Sequence, residues 1–268
     1  MCDSCGCGDH DIVPVDVHER ILAGNDRAAR HNREHFHDHG VAVINLMGSP
    51  GAGKTAVLEA TARLLGPSRP LGVLVGDLAT DNDARRVRAA GIVAEAITTG
   101  SACHLDAAMV HQGLHRLPSW RDLDMLFIEN VGNLVCPAVY DLGQDVNVVA
   151  LSVTEGEDKP LKYPIIFRKA DLVLLTKVDL LAVLPDISIA RVLENLSMVM
   201  PKPAMIPVSA ATGQGVDQWV QWLAGLRLAG QVSAGVARGH SHGHGHDHRH
   251  DQSHDHHRDD HRDDDGRA

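Results

Sequence analysis

The eight residues GSPGAGKT, at positions 48–55, constrain the fold of this chain more than any other stretch. They match the pattern GxxxxGK followed by Ser or Thr, between the apolar segment VAVINLM (41–47) and the helix-forming AVLEATARLL. Glycines let backbone amides turn toward phosphates, the helix presents its positive end, and the lysine and threonine reach the terminal phosphates and Mg²⁺. The predicted nucleotide-binding residues of this loop are Gly48, Ser49, Pro50, Gly51, Ala52, Gly53, Lys54, Thr55 and Ala56.

Seven apolar segments have the composition of buried strands, and helix-like sequence fills most of the gaps between them. The segments are 41–47, 71–76, 91–97, 123–130, 145–153, 170–176 and 203–209. This alternation predicts an α/β fold, a three-layer P-loop NTPase whose mostly parallel sheet is covered by helices on both faces. Ligands of such sheets bind beyond the carboxyl ends of the strands.

Two carboxylates lie at the ends of predicted strands, where a Mg²⁺ bound to the nucleotide would lie. Asp77 follows LGVLVG, and Glu129 ends MLFIE. Both are candidate Mg²⁺ residues together with Thr55, and they complete the predicted catalytic set with Lys54. A strand-end turn or a helix cap is the alternative interpretation of Asp77. Asp81 and Asp83, in a segment with switch-loop character, are weaker candidates.

The motif TKVD, residues 176–179, predicts the base that is bound. A carboxylate at Asp179 can accept hydrogen bonds from N1 and the exocyclic amine of guanine, while the Lys177 stem packs on the ring. The segment SAATG adds Ser209 and the amide of Ala210 near the guanine carbonyl. GTPases generally have Asn where this chain has Thr176, yet the arrangement favours GTP and GDP over adenine nucleotides.

Cysteine and histidine form three further features. In SACHLDA, Cys103 and His104 follow the third predicted strand, and Cys136 lies just beyond Glu129. A closed structural zinc site has four protein ligands, so these three would be completed by water, by an acceptor of the metal or by a symmetry mate. The alternative is a buried cysteine that happens to precede a surface histidine.

The amino terminus CDSCGC provides three further thiols, Cys2, Cys5 and Cys7, which suit Ni(II) or Zn(II) better than a 4Fe–4S cluster. Ten of the 19 histidines lie after residue 239, in a tail too polar to fold that suits metal buffering. We therefore predict an N-terminal metal-binding arm with a helix (1–40), a nucleotide-binding domain (41–230) and a disordered His-rich tail (231–268). The remaining histidines of two predicted helices are interpreted as solvent-facing: His31, His35, His37, His39, His111 and His115.

Composition excludes several function classes. The net charge of −10 disfavours nonspecific binding to nucleic acid, which needs a basic surface. No apolar run reaches the roughly 18 residues that a membrane span needs, and the first residues lack the pattern of a secretory signal. We expect a cytoplasmic protein with reduced cysteines.

Together these motifs resemble the HypB family, the GTPases that help to insert nickel into [NiFe] hydrogenase. The resemblance is carried, in order, by CDSCGC, GSPGAGKT, SACHLDA, ENVGNLVCP, TEGEDKP, TKVD and the His-rich tail. It implies the dimerising SIMIBI branch of P-loop GTPases, with nickel or zinc at Cys103, His104 and Cys136 near a GTP-dependent homodimer interface. It also implies high-affinity nickel binding at Cys2, Cys5 and Cys7. The implied partners are a HypA-type nickel chaperone and the hydrogenase large-subunit precursor.

Two alternatives remain open from the sequence. One is the related GTPase that loads nickel into urease, which shares the fold and chemistry. The other is a nickel or zinc storage protein whose nucleotide site is regulatory.

Overall fold

The computed structural model describes residues 15–66 and 69–226, with side chains from residue 20 onward. Seven strands form one parallel sheet in the order β3-β2-β4-β1-β5-β6-β7. The strands are β1 (Ala42–Gly48), β2 (Leu71–Asp77), β3 (Val93–Thr98), β4 (Met125–Glu129), β5 (Val146–Ser152), β6 (Leu172–Thr176) and β7 (Met205–Pro207). All seven predicted strands are confirmed, with ends that shift by about two residues. The predicted three-layer P-loop architecture is confirmed as well.

Helices connect the strands and cover the sheet. They are α1 (Val15–His39), α2 (Lys54–Leu65), α3 (Asn82–Ala89), α4 (Ala107–Arg116), α5 (Lys159–Lys162), α6 (Pro164–Arg168) and α7 (Ile189–Val199), and α8 runs from 216 to the last described residue, 226. Within these ranges no helix is both long and apolar enough to cross a bilayer.

The core lies on both faces of the sheet because neighbouring strand residues point in opposite directions. On β1, Ile44 and Leu46 enter a cluster that includes Trp219 of α8, whereas Val43 enters a cluster on the other face with residues of α4. Strands buried on both faces explain why the sequence shows continuous apolar runs instead of alternation.

The predicted amino-terminal helix is present as α1, which ends beside Gly40 at a φ of 68°. Its second half packs against α4 and buries Phe36 and Asn32. The Asn32 side chain donates to the carbonyl oxygens of Ala107 (2.8 Å) and Leu142 (3.1 Å). The second half of α1 therefore shares its packing with residues of the nucleotide-binding domain.

Candidate nucleotide and metal site

The loop between β1 and α2 has the backbone of a phosphate cradle. Gly53, the residue directly before α2, has a φ of 92°, a left-handed conformation that strains residues with a side chain. A Cβ on Gly48 would lie 2.5 Å from the carbonyl oxygen of Ala150. Lys54 lies inside the loop, where its ammonium donates to the carbonyls of Gly48 (3.3 Å) and Ser49 (3.2 Å). Burial lowers the pKa of Lys54 from its ordinary value.

Glu129 and Thr55 meet at the carboxyl end of β4. The Thr55 hydroxyl donates to Oε1 of Glu129 at 2.8 Å. Oε2 is buried and has no hydrogen-bond partner among the residues that the structure describes. A buried carboxylate oxygen without a partner is costly unless a cation or water completes it. The pair therefore fits the oxygen ligands that Mg²⁺ takes beside nucleotide phosphates.

Burial raises the pKa of Glu129 to about 7, against the opposing effects of Lys54 and the Thr55 hydrogen bond. The protonated acid is a poor cation ligand, so we expect Mg²⁺-dependent nucleotide affinity to fall about tenfold between pH 8 and pH 6. Isothermal titration of GDP with and without Mg²⁺ measures this dependence. The Glu129→Gln variant should bind GDP with Mg²⁺ more weakly, and its affinity should no longer depend on pH. If the affinity of this variant falls with pH as it does in wild type, the titrating group is not Glu129.

A cavity of about 420 Å³ lies over the phosphate loop. Its lining includes Lys54, Thr55, Asp77 and Glu129, which are the four predicted catalytic residues, as well as Asp83. Asp77 also accepts a hydrogen bond from the hydroxyl of Thr80 at 2.6 Å, as a turn residue would. The geometry brings the predicted set together, and the roles of its members stay predictions.

Sequence reasoning did not single out several residues that line this cavity. Arg86 lies on α3, where it pairs with Glu59 at 3.1 Å and with Asp83 at 3.5 Å. Its neighbours in sequence give it the appearance of an ordinary charged helix surface. Residues 130–132 also line the cavity, and only their position directly after Glu129 pointed to them.

The candidate base-binding residues lie around the ends of β6 and β7. The buried Thr176 hydroxyl donates to the carbonyl of Ala52 at 2.6 Å and so ties this segment to the phosphate loop. Thr176 therefore has a role in holding the loops together, which the motif comparison did not reveal. Lys177 has a φ of 58°, and Asp179 accepts a hydrogen bond from the hydroxyl of Ser209. Ala210 is partly exposed beside Ser209.

Asp179→Asn tests the base that this region selects. An amide in place of the carboxylate offers an NH₂ donor to the N1–H and exocyclic amine of guanine, which are themselves donors. We expect GDP affinity to fall at least about 10²-fold, as when a polar binding pair is left unmatched. Xanthosine diphosphate carries a carbonyl in place of the exocyclic amine, and we expect it to bind the variant better than GDP does. Asp186→Asn, on the following exposed segment, is the matched control and should leave GDP affinity unchanged. Unaltered guanine preference in Asp179→Asn would remove Asp179 from the base site.

Cys103, His104 and Cys136 form a compact donor cluster. Their ligand atoms all lie within 4.8 Å of one another, and the two Sγ atoms are 2.7 Å apart. Both thiols are free. Burial lowers the pKa of His104, whose ring stacks on Tyr140 at a centroid distance of 3.9 Å. The hydrogen bond with Cys103, together with burial, raises the pKa of the Cys136 thiol. Two sulfurs and one neutral imidazole suit Zn(II) or Ni(II), with at least one position left open.

The segment 129–136 joins the nucleotide cavity to this donor cluster. It starts at Glu129 and ends at Cys136. Midway, Gly132 packs closely against Pro50 of the phosphate loop, because a Cβ on Gly132 would lie 3.0 Å from the backbone nitrogen of Pro50. Asn133 forms an isolated β-bridge with Gly48 and donates from its side chain to the carbonyl of Cys103 at 3.3 Å. Asn133, which the sequence analysis did not identify, thus contacts both sites.

Comparison with known proteins places the chain in a family. Residues 42–206 match the model of the CobW/HypB/UreG nucleotide-binding domain. Over 223 residues the chain is 49% identical to the hydrogenase maturation factor HypB of Azotobacter vinelandii, covering 81% of this chain and 72% of that protein. The chain belongs to the HypB family. Family membership confirms the resemblance carried by the motifs, and with it a nucleotide-binding domain.

Two further HypB proteins are similar across most of their length. The hydrogenase/urease maturation factor HypB of Helicobacter hepaticus is 46% identical over 188 residues, covering 69% of this chain and 76% of that protein. The crystal structure of HypB from Helicobacter pylori in complex with nickel superimposes with a TM-score of 0.73 at 38% identity, covering 77% of this chain and 96% of that one.

The predicted ligands Cys2, Cys5 and Cys7 and the tail 231–268 lie outside the described residues.

Proposed function

We propose that this chain is a GTP-hydrolysing nickel metallochaperone that assists nickel insertion into the [NiFe] hydrogenase large subunit. The HypB relatives support the maturation role, and the nickel in the Helicobacter pylori complex supports the cargo. The observation that carries the proposal is Asn133, whose backbone pairs with Gly48 of the phosphate loop and whose side chain bonds the Cys103 carbonyl. A movement of the phosphate loop on nucleotide exchange would be transmitted directly to the donor cluster.

The proposed hydrolysis rests on positioning and electrostatic stabilisation. Lys54 neutralises charge that develops on the transferred phosphoryl group, while Thr55, Glu129 and Asp77 hold or orient the ligands of Mg²⁺. When bound, Mg²⁺ supplies charge stabilisation at the phosphate oxygens. A GTPase is slow when no arginine stabilises the charge of the transition state. Arg86 lines the cavity, but it is already paired with Glu59 and Asp83. We therefore expect slow intrinsic turnover, about 10⁻⁴ to 10⁻³ per second.

The proposed cargo site is completed by a second copy of the chain or by the acceptor of the metal. Cys103, His104 and Cys136 leave a tetrahedral ion one ligand short. The same three residues of a symmetry mate would supply the missing ligand, which makes metal occupancy depend on dimerisation. We propose that GTP favours this dimer and that hydrolysis releases nickel. A HypA-type chaperone and the large-subunit precursor are the proposed cytoplasmic partners.

Gel filtration with multi-angle light scattering tests the proposal on the full chain. The mass should be near the 28.8 kDa monomer with GDP and should double with a nonhydrolysable GTP analogue and nickel. The control is Cys103→Ser/Cys136→Ser, which should bind nucleotide normally and dimerise less with nickel. A mass that does not respond to nucleotide or nickel would contradict GTP-dependent dimerisation.

A nickel or zinc storage role predicts a different genetic result. If the nucleotide site were only regulatory, Lys54→Ala would leave nickel-limited hydrogenase maturation intact, and truncation after Gly230 would impair it. Our proposal predicts that Lys54→Ala abolishes maturation. Assays of hydrogenase and urease in a deletion strain distinguish the urease-type alternative, because we expect the loss of hydrogenase activity and not of urease activity.

A further inference from the structure

Helices α1 and α4 pack side by side and bring four histidines together. On α1, the Nε2 atoms of His31 and His35 are 3.2 Å apart. On α4, the Nε2 atoms of His111 and His115 are 3.0 Å apart. The ring of His111 lies 5.1 Å from that of His31 and 5.7 Å from that of His35, measured between centroids. Two i, i+4 pairs from separate helices thus face one another.

This arrangement differs from a solvent-facing stripe of histidines. Two ring nitrogens about 3 Å apart share either one proton or one cation, because two imidazolium ions at that distance repel each other. Burial, followed by the neighbouring histidines, lowers the pKa of His111 and of His35. Both shifts favour the neutral form of the His35 and His111 rings, which is the form that ligates metals.

The buried Asn32 sets the tautomer of His111. Both hydrogens of the Asn32 amide nitrogen are donated to carbonyls, those of Ala107 and Leu142, which fixes the orientation of the amide. Oδ1 of Asn32 must then accept a hydrogen bond from Nδ1 of His111, which lies 3.1 Å away. The Nε2 lone pair of the neutral ring is left to face His115. An imidazole whose second nitrogen donates to a fixed oxygen is the usual arrangement of a metal-ligating histidine.

We propose that His31, His35, His111 and His115 form a second transition-metal site that joins α1 to α4. Nitrogens about 2.0–2.1 Å from a tetrahedral ion lie about 3.3 Å from one another, close to the separation within each pair. Among the described residues only Cys103, His104 and Cys136 have three ligand atoms within 4.8 Å of one another, so ring rotation has to bring the two histidine pairs onto one ion. His31 and His115 are exposed and free to rotate.

Four imidazoles and no thiolate favour borderline divalent ions such as Zn²⁺, Ni²⁺ or Cu²⁺ over hard cations. An ion shared by both pairs would hold α1 against α4. Cys103 and His104 lie only a few residues before the first residue of α4. Metal at this site would thus stabilise the helix pair that borders the donor cluster. This inference stands on the helix geometry and does not depend on the proposed chaperone function.

Hydrogen exchange followed by mass spectrometry tests the site in the full chain, because it localises the effect away from the amino terminus and the tail. With Zn²⁺ or Ni²⁺ at a free concentration ten times the dissociation constant, opening of the helix pair becomes about tenfold rarer. We expect exchange to slow by that factor in peptides that cover both 25–39 and 107–116. The fourfold change of His31, His35, His111 and His115 to Gln should abolish the slowing, and each pair changed alone should do the same.

The matched control is His37→Gln/His39→Gln, which removes two exposed histidines of the same helix and should keep the full metal effect. Apo exchange of the fourfold variant should equal that of wild type, which shows that the helices still pack. Slowing that persists in the fourfold variant would place the ion at Cys103 and Cys136 instead. Absence of slowing with both ions in wild type, or slowing that survives loss of one pair, would overturn the bridging site.

Discussion

Lys54→Ala should abolish GTP hydrolysis, with a loss of at least about 10²-fold in turnover at saturating nucleotide. Lys54 is buried inside the phosphate loop, and Lys54, Thr55 and Glu129 all line the same cavity. Removal of its ammonium leaves the charge on the transferred phosphoryl group without its lysine partner. Phosphate release under single-turnover conditions measures the effect and separates it from weaker binding.

Two controls make the Lys54 result specific. Lys202→Ala removes an exposed lysine that is not part of the cavity lining and should leave turnover unchanged. Thermal unfolding of Lys54→Ala should match wild type to within a few degrees, because the hydrogen bonds that Lys54 donates go to two loop carbonyls. Hydrolysis within a few-fold of wild type in a folded Lys54→Ala variant would remove this lysine from the chemistry.

Cys103→Ser/Cys136→Ser should abolish nickel binding at the cluster of Cys103, His104 and Cys136. The sequence contains five cysteines, so changing Cys2, Cys5 and Cys7 to Ser in the full chain leaves only these two thiols. Nickel added to that background should produce thiolate-to-metal charge-transfer absorption, since both Sγ atoms lie within reach of one ion. The further double change should remove the band and weaken affinity at least about 10²-fold.

Ser101→Ala, at an exposed position in the same loop, is the matched control and should keep the band. GDP affinity should stay unchanged in the double variant, which shows that the fold is intact. A charge-transfer band that survives the loss of both thiols, or that is absent while they are present, would reject the cluster as a nickel site.

The fold could be predicted from sequence because its strands are buried on both faces. Apolar runs such as 71–76 and 170–176 leave little alternative to a parallel sheet, and the glycines around Lys54 mark the first strand end. The cluster of Cys103, His104 and Cys136 was also predictable, because residues beyond parallel strands converge at one edge. Local motifs thus identified the residues whose chemistry is distinctive.

Contacts made by ordinary residue types could not be predicted. Asn133, Arg86 and Thr176 have side chains common on any surface or turn, and their contacts arise only from tertiary packing. The pairing of His31 and His35 with His111 depends on how α1 crosses α4, which no local pattern specifies. Side-chain orientation between distant segments is set by the packed core rather than by helix periodicity.

The central claim is that the nucleotide cavity and the Cys103, His104 and Cys136 cluster change each other's state through the segment 129–136. Nickel affinity of the cluster, followed by its thiolate-to-metal charge-transfer absorption in the Cys2, Cys5 and Cys7 to Ser background with GDP and with a nonhydrolysable GTP analogue, measures this coupling directly. We expect the two dissociation constants to differ at least about fivefold, with the reciprocal change in nucleotide affinity on addition of nickel. Asn133→Ala should reduce the difference, and equal nickel affinity in both nucleotide states would contradict the account.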